Sequence, residues 1–413
     1  MRDASAPKVT GAWPPAGSGP LAGLRVLDLS RLLPGPFTSN MLAAMGASVL
    51  KVEDMTGGDH ARWIPPLEED GDPTLRSARF RFLNGGRWSI QIDFRSEKGR
   101  VVLERLLAET DVLLESFRPG VLDRFGLGPE AALERHPRLV YASLTGFSRS
   151  GPHARAAGHD IGFVARSGLM SLTSDREGAP EISELPLADL GGGSYPGAIG
   201  ILAALWERER SGRGQHVDVA IADSSVHWAV MQTAALAAGE QDLSDPQMDK
   251  VHYGVYRCAD GWLTFAPIEA KFWKSFCEGV GRPDLLPLHA ETRDSDTARA
   301  LEALFLERTR AEWGAFSEEH DCCIEPVVTL SEAIDRIVAE GSSVVGRAAD
   351  GTPRFGSPAR FSRTSTGIPG EAPGLGAQTR IVMSALDFDD ADTEELIAAG
   401  AVGEAGVMKE GVS

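Results

Sequence analysis

Cysteine is scarce in this 413-residue chain: Cys258, Cys277, Cys322 and Cys323 are all there is, and none has CxxC spacing. That excludes a disulfide framework and gives no zinc pattern, so the four read as reduced structural thiols. Long apolar runs are missing too. No stretch approaches the roughly 18 residues of a membrane span, and the Pro- and Gly-rich start from Ala4 to Gly19 lacks the apolar core of a signal peptide. A cytoplasmic location with no membrane partner is the expectation. Positive charge is also short, with 41 Lys and Arg against 59 Asp and Glu, a net charge of -18. Nucleic acid is therefore excluded as the main partner, and an anionic ligand must be met by Arg and Lys gathered locally. Finally, no GxGxxG opens a helix, which removes the nicotinamide and flavin fingerprint.

What is present is an alternation of apolar runs and helical patterns in a chain too long for one core, so two domains are expected. Leu24–Leu29 reads as a strand, Pro34-Gly35-Pro36 as a turn, Phe37–Met45 as a helix and Ser48–Val52 as a second, parallel strand. Met55–Asp72 reads as a long surface loop. Strands at Ser89–Asp93, Val112–Leu114, Leu139–Ser143 and Gln215–Ile221 alternate with helices at Gly99–Glu109, Pro129–His136 and Gly197–Arg210. The fold class is α/β, a doubly wound, Rossmann-like sheet without the dinucleotide motif. Ala222–Gly239 reads as one helix, and the polar Glu240–Lys250 marks a change of region. Beyond it, Ala259-Asp260-Gly261 is a hairpin between strands. Helices follow at Lys271–Gly279, Asp296–Arg308, Arg310–Glu319, Leu330–Glu340 and, after a Pro/Gly/Ser/Arg-rich connection at Gly351–Pro373, at Ala391–Ala399.

The stretch with the most chemistry runs from Gly158 to Gly193. It places an imidazole, His159, and a carboxylate, Asp189, among glycines that let a ligand approach the backbone. A proton-transfer site has that make-up. Either residue alone reads as a cap or an Asx turn.

The ordered blocks LAGLRVLDLSRLLPGPF, LNGGRWSIQID, ESFRPGVLDRFGLGP, AGHDI, ADLGGGS, GILAALWERERSGRGQHVDVAI, YRCADGWLTFAPIE and APGLGAQT resemble the class III coenzyme A transferase superfamily, which includes the α-methylacyl-CoA racemases. The resemblance covers the chain from about Leu21 onward. It implies a large domain built from 21–228 and the returning 336–413, a small α+β domain at 229–335, and two subunits interlocked as a homodimer. Gly158-His159-Asp160, Asp189 and Ile268-Glu269 match the racemase branch. The resemblance then implies that His159 and Asp189 serve opposite faces of the carbon α to a thioester, while Glu269 holds the imidazole. Backbone N–H groups near Gly191–Gly193 or at a helix start are candidate donors to the enolate oxygen.

The substrate is an acyl-CoA, and coenzyme A enters as part of it, with no further cofactor and no metal. By resemblance its contacts are Ile92, Asp93, Phe94, Arg95, Ser116, Phe117, Arg118, Arg124, Ala156, Ala157 and Gly158. Two departures stand out. Asp54 occupies the place of an Arg that faces the phosphate in the family, with Arg62 or Arg81 as replacements. The acidic Asp242–Lys250 stands where a Gly-rich loop is usual. Three readings stay open: a 2-methylacyl-CoA racemase, a CoA-transferase with Asp189 as nucleophile, and a CoA-binding homologue without catalysis.

Overall fold

The computed structural model describes residues 11–15, 17–69, 71–173, 178–348 and 350–405. Two compact units emerge, one running to Val230 and resuming at Ile337, the other Met231–Arg336.

The first unit is built on strands β1 (Arg25–Asp28), β2 (Ser48–Glu53), β3 (Trp88–Ile92), β4 (Val112–Glu115), β5 (Val140–Thr145) and β6 (His216–Ala220). They lie in the order β3-β2-β1-β4-β5-β6, all parallel, and the two-residue strand Val402–Gly403 pairs antiparallel with the outer edge of β3. This is the doubly wound order. Strands β2, β4 and β5 are buried at every position, as a parallel sheet covered on both faces demands.

Helix α1 (Pro34–Ala44), α2 (Ala78–Leu83), α3 (Glu97–Ala108), α4 (Pro129–Arg135), α5 (Asp160–Arg166) and α6 (Tyr195–Ser211) are interleaved with the strands. One face packs Leu27, Leu50 and Ile90 under Leu103 and Leu106 of α3 and under Val382 and Leu396 of the C-terminal helices. The other packs Val26, Val49 and Val112 under Leu42 of α1 and Ile201 of α6. Ser96 caps α3 by accepting from the Gly99 N–H, and Gly212 ends α6 at φ 74.

Three expectations are revised. Pro34-Gly35-Pro36 is the first turn of α1, where a proline loses no intrahelical bond. The helix expected over Ala222–Gly239 breaks into Ile221–Ser224, a 3₁₀ segment Ser225–Ala229 and Val230–Ala237. There the Ser225 hydroxyl donates back to the Ile221 carbonyl at 2.7 Å, competing with the helical ladder. Inside the expected connection, Pro353–Phe355 forms a strand that pairs with Val345–Arg347.

In the second unit, Gly254–Cys258, Gly261–Phe265 and Ile324–Pro326 form an antiparallel sheet. Its core is aromatic, with Phe265, Trp273, Phe276, Phe305 and Trp313 buried together. Cys258, Cys277 and Cys322 share that core, and burial pushes the Cys277 and Cys322 thiols up to about 11, which leaves them unreactive near neutrality. Among the described residues no helix is long and apolar enough to cross a membrane.

Candidate active site

Three neighbouring parallel strands end in a buried carboxylate: Asp28 closes β1, Glu53 closes β2 and Glu115 closes β4. Charge is costly inside a sheet, so each must be partnered or hold its proton more tightly. Arg87 reaches Asp28 at 3.0 Å, and Arg62 takes Glu53 through two nitrogens at 2.7 and 2.8 Å. Lys51, on β2, pairs with Asp59 at 3.0 Å and donates to the Ser30 carbonyl at 2.9 Å. Asp59 also accepts from the Leu32 N–H at 3.0 Å, which fixes Leu32 in the left-handed region at φ 64. A leucine there is strained, and such strain persists only where the surroundings impose it. The buried ions thus shape the turn that follows β1.

That turn lies where the strand order reverses, between β1 and β4, the place where open α/β sheets bind ligands. Arg31 and Leu32 after β1, Ser116, Phe117 and Arg118 after β4, Thr145 at the end of β5, and Gly146 and Phe147 after it line a cavity of about 190 Å³. His159 and Asp189 line it too. A second, larger cavity of about 1060 Å³ also takes Leu32, His159 and Asp189 into its wall and is otherwise mostly apolar, with Leu33, Phe37, Ile64, Phe82, Leu190 and Phe355. The two titratable residues therefore sit where a small cavity bordered by Arg31 and Arg118 meets a wide apolar one.

His159 is the N-cap of α5 and is exposed. Asp160 is the first residue of that helix, and its Oδ1 accepts from the Asp189 N–H at 2.8 Å. Asp189 belongs to a π-helical stretch, Ala188–Ser194, that runs straight into α6. A π-helix directs its amides to carbonyls five residues back, which ties up the N–H groups of Gly191–Gly193. The glycines serve packing instead. A Cβ on Gly191 would meet the Trp228 ring at 2.3 Å, and one on Gly192 would meet Ser225 Oγ at 2.1 Å. Burial, and next the charge of Asp160, push the Asp189 carboxyl up to about 6, with His159 pulling the other way.

The residues expected to contact coenzyme A divide. Ser116, Phe117, Arg118, Ala156 and Gly158 line the smaller cavity with His159 and Asp189, whereas Ile92, Asp93, Phe94, Arg95, Arg124 and Ala157 do not. Ile92 is buried in the sheet core, and Phe94 stacks edge-on against Phe117 at 5.5 Å. Arg95 pairs with Asp93 at 2.9 Å, and Arg124 donates to the Gly120 carbonyl at 3.2 Å. Glu269 lies in the second unit, exposed, at the N-cap of Ala270–Gly279.

Of the suggested replacements for the cation missing at Asp54, Arg62 is wholly buried on Glu53, and Arg81 pairs with Glu68. The cation beside Asp54 is Arg31, 3.0 Å away and over the Phe117 ring. Arg31 and Leu32 are site residues that sequence reasoning passed over, while Asp160, read there only as part of the Gly-His-Asp step, supplies the carboxylate that holds the Asp189 N–H. A charged residue two positions beyond the short apolar run Leu24–Leu29 was the available signal for Arg31. Among the described residues no group of three or more His, Cys, Asp or Glu is placed to hold a metal ion.

The family model described as CoA-transferase family III matches residues 21–379. The chain belongs to that family. Among family III relatives, the alpha-methylacyl-CoA racemase of Homo sapiens is 32% identical over 387 residues, 91% of this chain and 96% of its own length. A succinate–glutarate CoA-transferase of Agrobacterium fabrum is 37% identical over 267 residues, 63% of this chain and 66% of its own. The crystal structure of a CAIB/BAIF family protein from Brucella suis has 30% identity and a TM-score of 0.78, covering 90% of this chain and 100% of that one. Family III thus places the chain among enzymes of two activities, racemases and CoA-transferases.

Proposed function

We propose that this protein is a racemase of 2-methylacyl-CoA thioesters. The observation that carries the reading is the position of His159 and Asp189 on the wall shared by a small cavity bordered by Arg31 and Arg118 and a wide apolar groove. An acyl-CoA has a polyanionic nucleotide on one side of its thioester and an apolar chain on the other, with the acidic α-carbon between. The two cavities offer each part a matching surface.

In the proposed reaction one residue of the pair takes the α-proton. The C–H electron pair moves into the thioester carbonyl, and the enolate is reprotonated from the opposite face by the other residue. The Asp189 carboxyl, raised to about 6, is usable near neutral pH. The first turn of α5 has N–H groups without intrahelical partners, and these are the donors we assign to the enolate oxygen in place of the glycine amides. An interlocked homodimer is part of the same proposal, in keeping with the exposed Ile199, Trp206, Trp228 and Met231.

The second reading, a CoA-transferase, draws on the transferase relatives. There the Asp189 carboxylate attacks the thioester carbonyl, expelling the CoA thiolate and leaving an acyl anhydride. Incubating one 2-methylacyl-CoA epimer in D₂O separates the two. Deuterium entering the α-position supports racemisation. No exchange, with an acyl group on Asp189 trapped by hydroxylamine, replaces it by the transferase.

A further inference from the structure

The apolar groove ends on an aromatic wall with a second chamber behind it. Phe37, Tyr195 and Phe355 line the groove of about 1060 Å³ and also line a separate cavity of about 90 Å³, which Met41, Val344 and Pro358 help to enclose. Phe355 is the hub of the wall. Its ring stands edge-on to Phe82 at 4.8 Å and to Phe37 at 6.2 Å, and Phe37 stands edge-on to Tyr195 at 6.1 Å. Phe355 enters from the returning part of the chain, as the last residue of the hairpin strand that pairs it with Val345.

We infer that Phe355 is a specificity-determining residue, a partition that sets the length of acyl chain the groove accepts. The inference rests on reading the site as one for acyl-CoA. His159 and Asp189 border the groove, so the reacting carbon lies at its edge and the chain extends along its apolar wall. Each methylene that leaves water there strengthens binding about fourfold. The gain stops where the chain meets the edge-on rings, because packed aromatics do not yield to an extra methylene without loss of their contacts. The chamber behind can take apolar chain. Its polar side chains are Asn40, which donates through Nδ2 to the Leu83 carbonyl at 3.0 Å, and Tyr195 of the wall itself. Phe355 is 39% exposed, so its removal opens the wall without emptying the core.

The test is calorimetric binding of a series of unreactive acyl-CoA thioethers of increasing chain length to the wild-type protein, Phe355→Ala and Phe355→Trp. Affinity is expected to rise about fourfold per methylene up to a break. The break should move to longer chains in Phe355→Ala and to shorter ones in Phe355→Trp, while coenzyme A alone binds all three proteins equally, which also reports their folding. A break at one length in all three, or affinity independent of chain length, overturns the partition. Deuterium exchange on a short substrate is measured in the same proteins. Exchange with an unmoved break rejects the partition alone, and a moved break without exchange upholds the partition and rejects racemisation.

Discussion

The Asp189 N–H donates to Asp160 Oδ1 at 2.8 Å, so the residue after the candidate imidazole grips the backbone of the candidate carboxylate. The bond couples α5 to the π-helical stretch, and the same carboxylate raises the proton affinity of Asp189. Asp160→Asn keeps an acceptor but removes that charge, so the acidic limb of kcat/KM is expected to shift to lower pH with the maximum largely kept. Asp160→Ala loses the grip as well, and a misplaced carboxylate costs about 100-fold in kcat/KM. Equal pH profiles for the wild type and Asp160→Asn would remove the electrostatic part of this account.

The pH profile also separates the two chemistries. Racemisation needs one proton on the His159–Asp189 pair, whichever residue carries it. Both directions should give the same bell, with an acidic limb near the Asp189 value of about 6. A nucleophilic Asp189 needs only its carboxylate, so activity would rise through about pH 6 and this pair would impose no alkaline limb.

Arg62 is predicted to matter for folding rather than for phosphate. Burial alone would raise the Glu53 carboxyl, yet Arg62 and Lys51 hold it down at about 2. Its contribution to stability is therefore present above the ordinary value of 4.5 and is lost as pH falls toward 2. Arg62→Ala strands that charge in the core and should cost about 3–5 kcal/mol in denaturant unfolding at pH 7. A change in CoA affinity without loss of stability would contradict the assignment.

Asp54 neutralises Arg31 beside the cavity that the proposed reading gives to coenzyme A. Asp54→Asn frees the guanidinium, and CoA should bind roughly threefold to tenfold tighter at low salt, the gain shrinking as ionic strength rises. Calorimetric titrations at two salt concentrations check both parts.

Glu115 holds the turn that carries Ser116–Arg118, its Oε2 accepting from the Phe117 N–H at 2.7 Å. Burial pushes its carboxyl up to about 7, so its contribution to stability is full below 4.5 and lost as pH rises through 7. Glu115→Gln keeps an acceptor and removes the titration. Relative to the wild type it should be more stable at pH 8 than at pH 5, by up to about 3 kcal/mol. Parallel stability curves for the two proteins would refute it.

Much of the sheet was legible because its strands contain short apolar runs, such as Val112–Leu114, separated by helices with one apolar face, such as α3. His159 and Asp189 became legible through the ordered blocks around them, since neither stands out by itself. The ion network did not. Arg62 lies in a stretch rich in Gly, Pro and Asp that reads as surface, and its burial depends on Glu53 arriving at a strand end nine residues away. Phe355 was hidden for a similar reason, because a three-residue strand has no period to detect and its aromatic neighbours come from α1 and α2.

The π-helical stretch makes the aim of Asp189 a matter of residue count. Helix α6 is anchored by its packing on the sheet, so the carboxylate points where the number of residues between them sends it. If the same residues wound as an ordinary α-helix, each hydrogen bond would close one residue sooner and Asp189 would move about 100° around the axis. The aim of the carboxylate is therefore kept by the winding as well as by the side chain. A change that converts the stretch to an α-helix would unpick the site without altering one of its reacting groups.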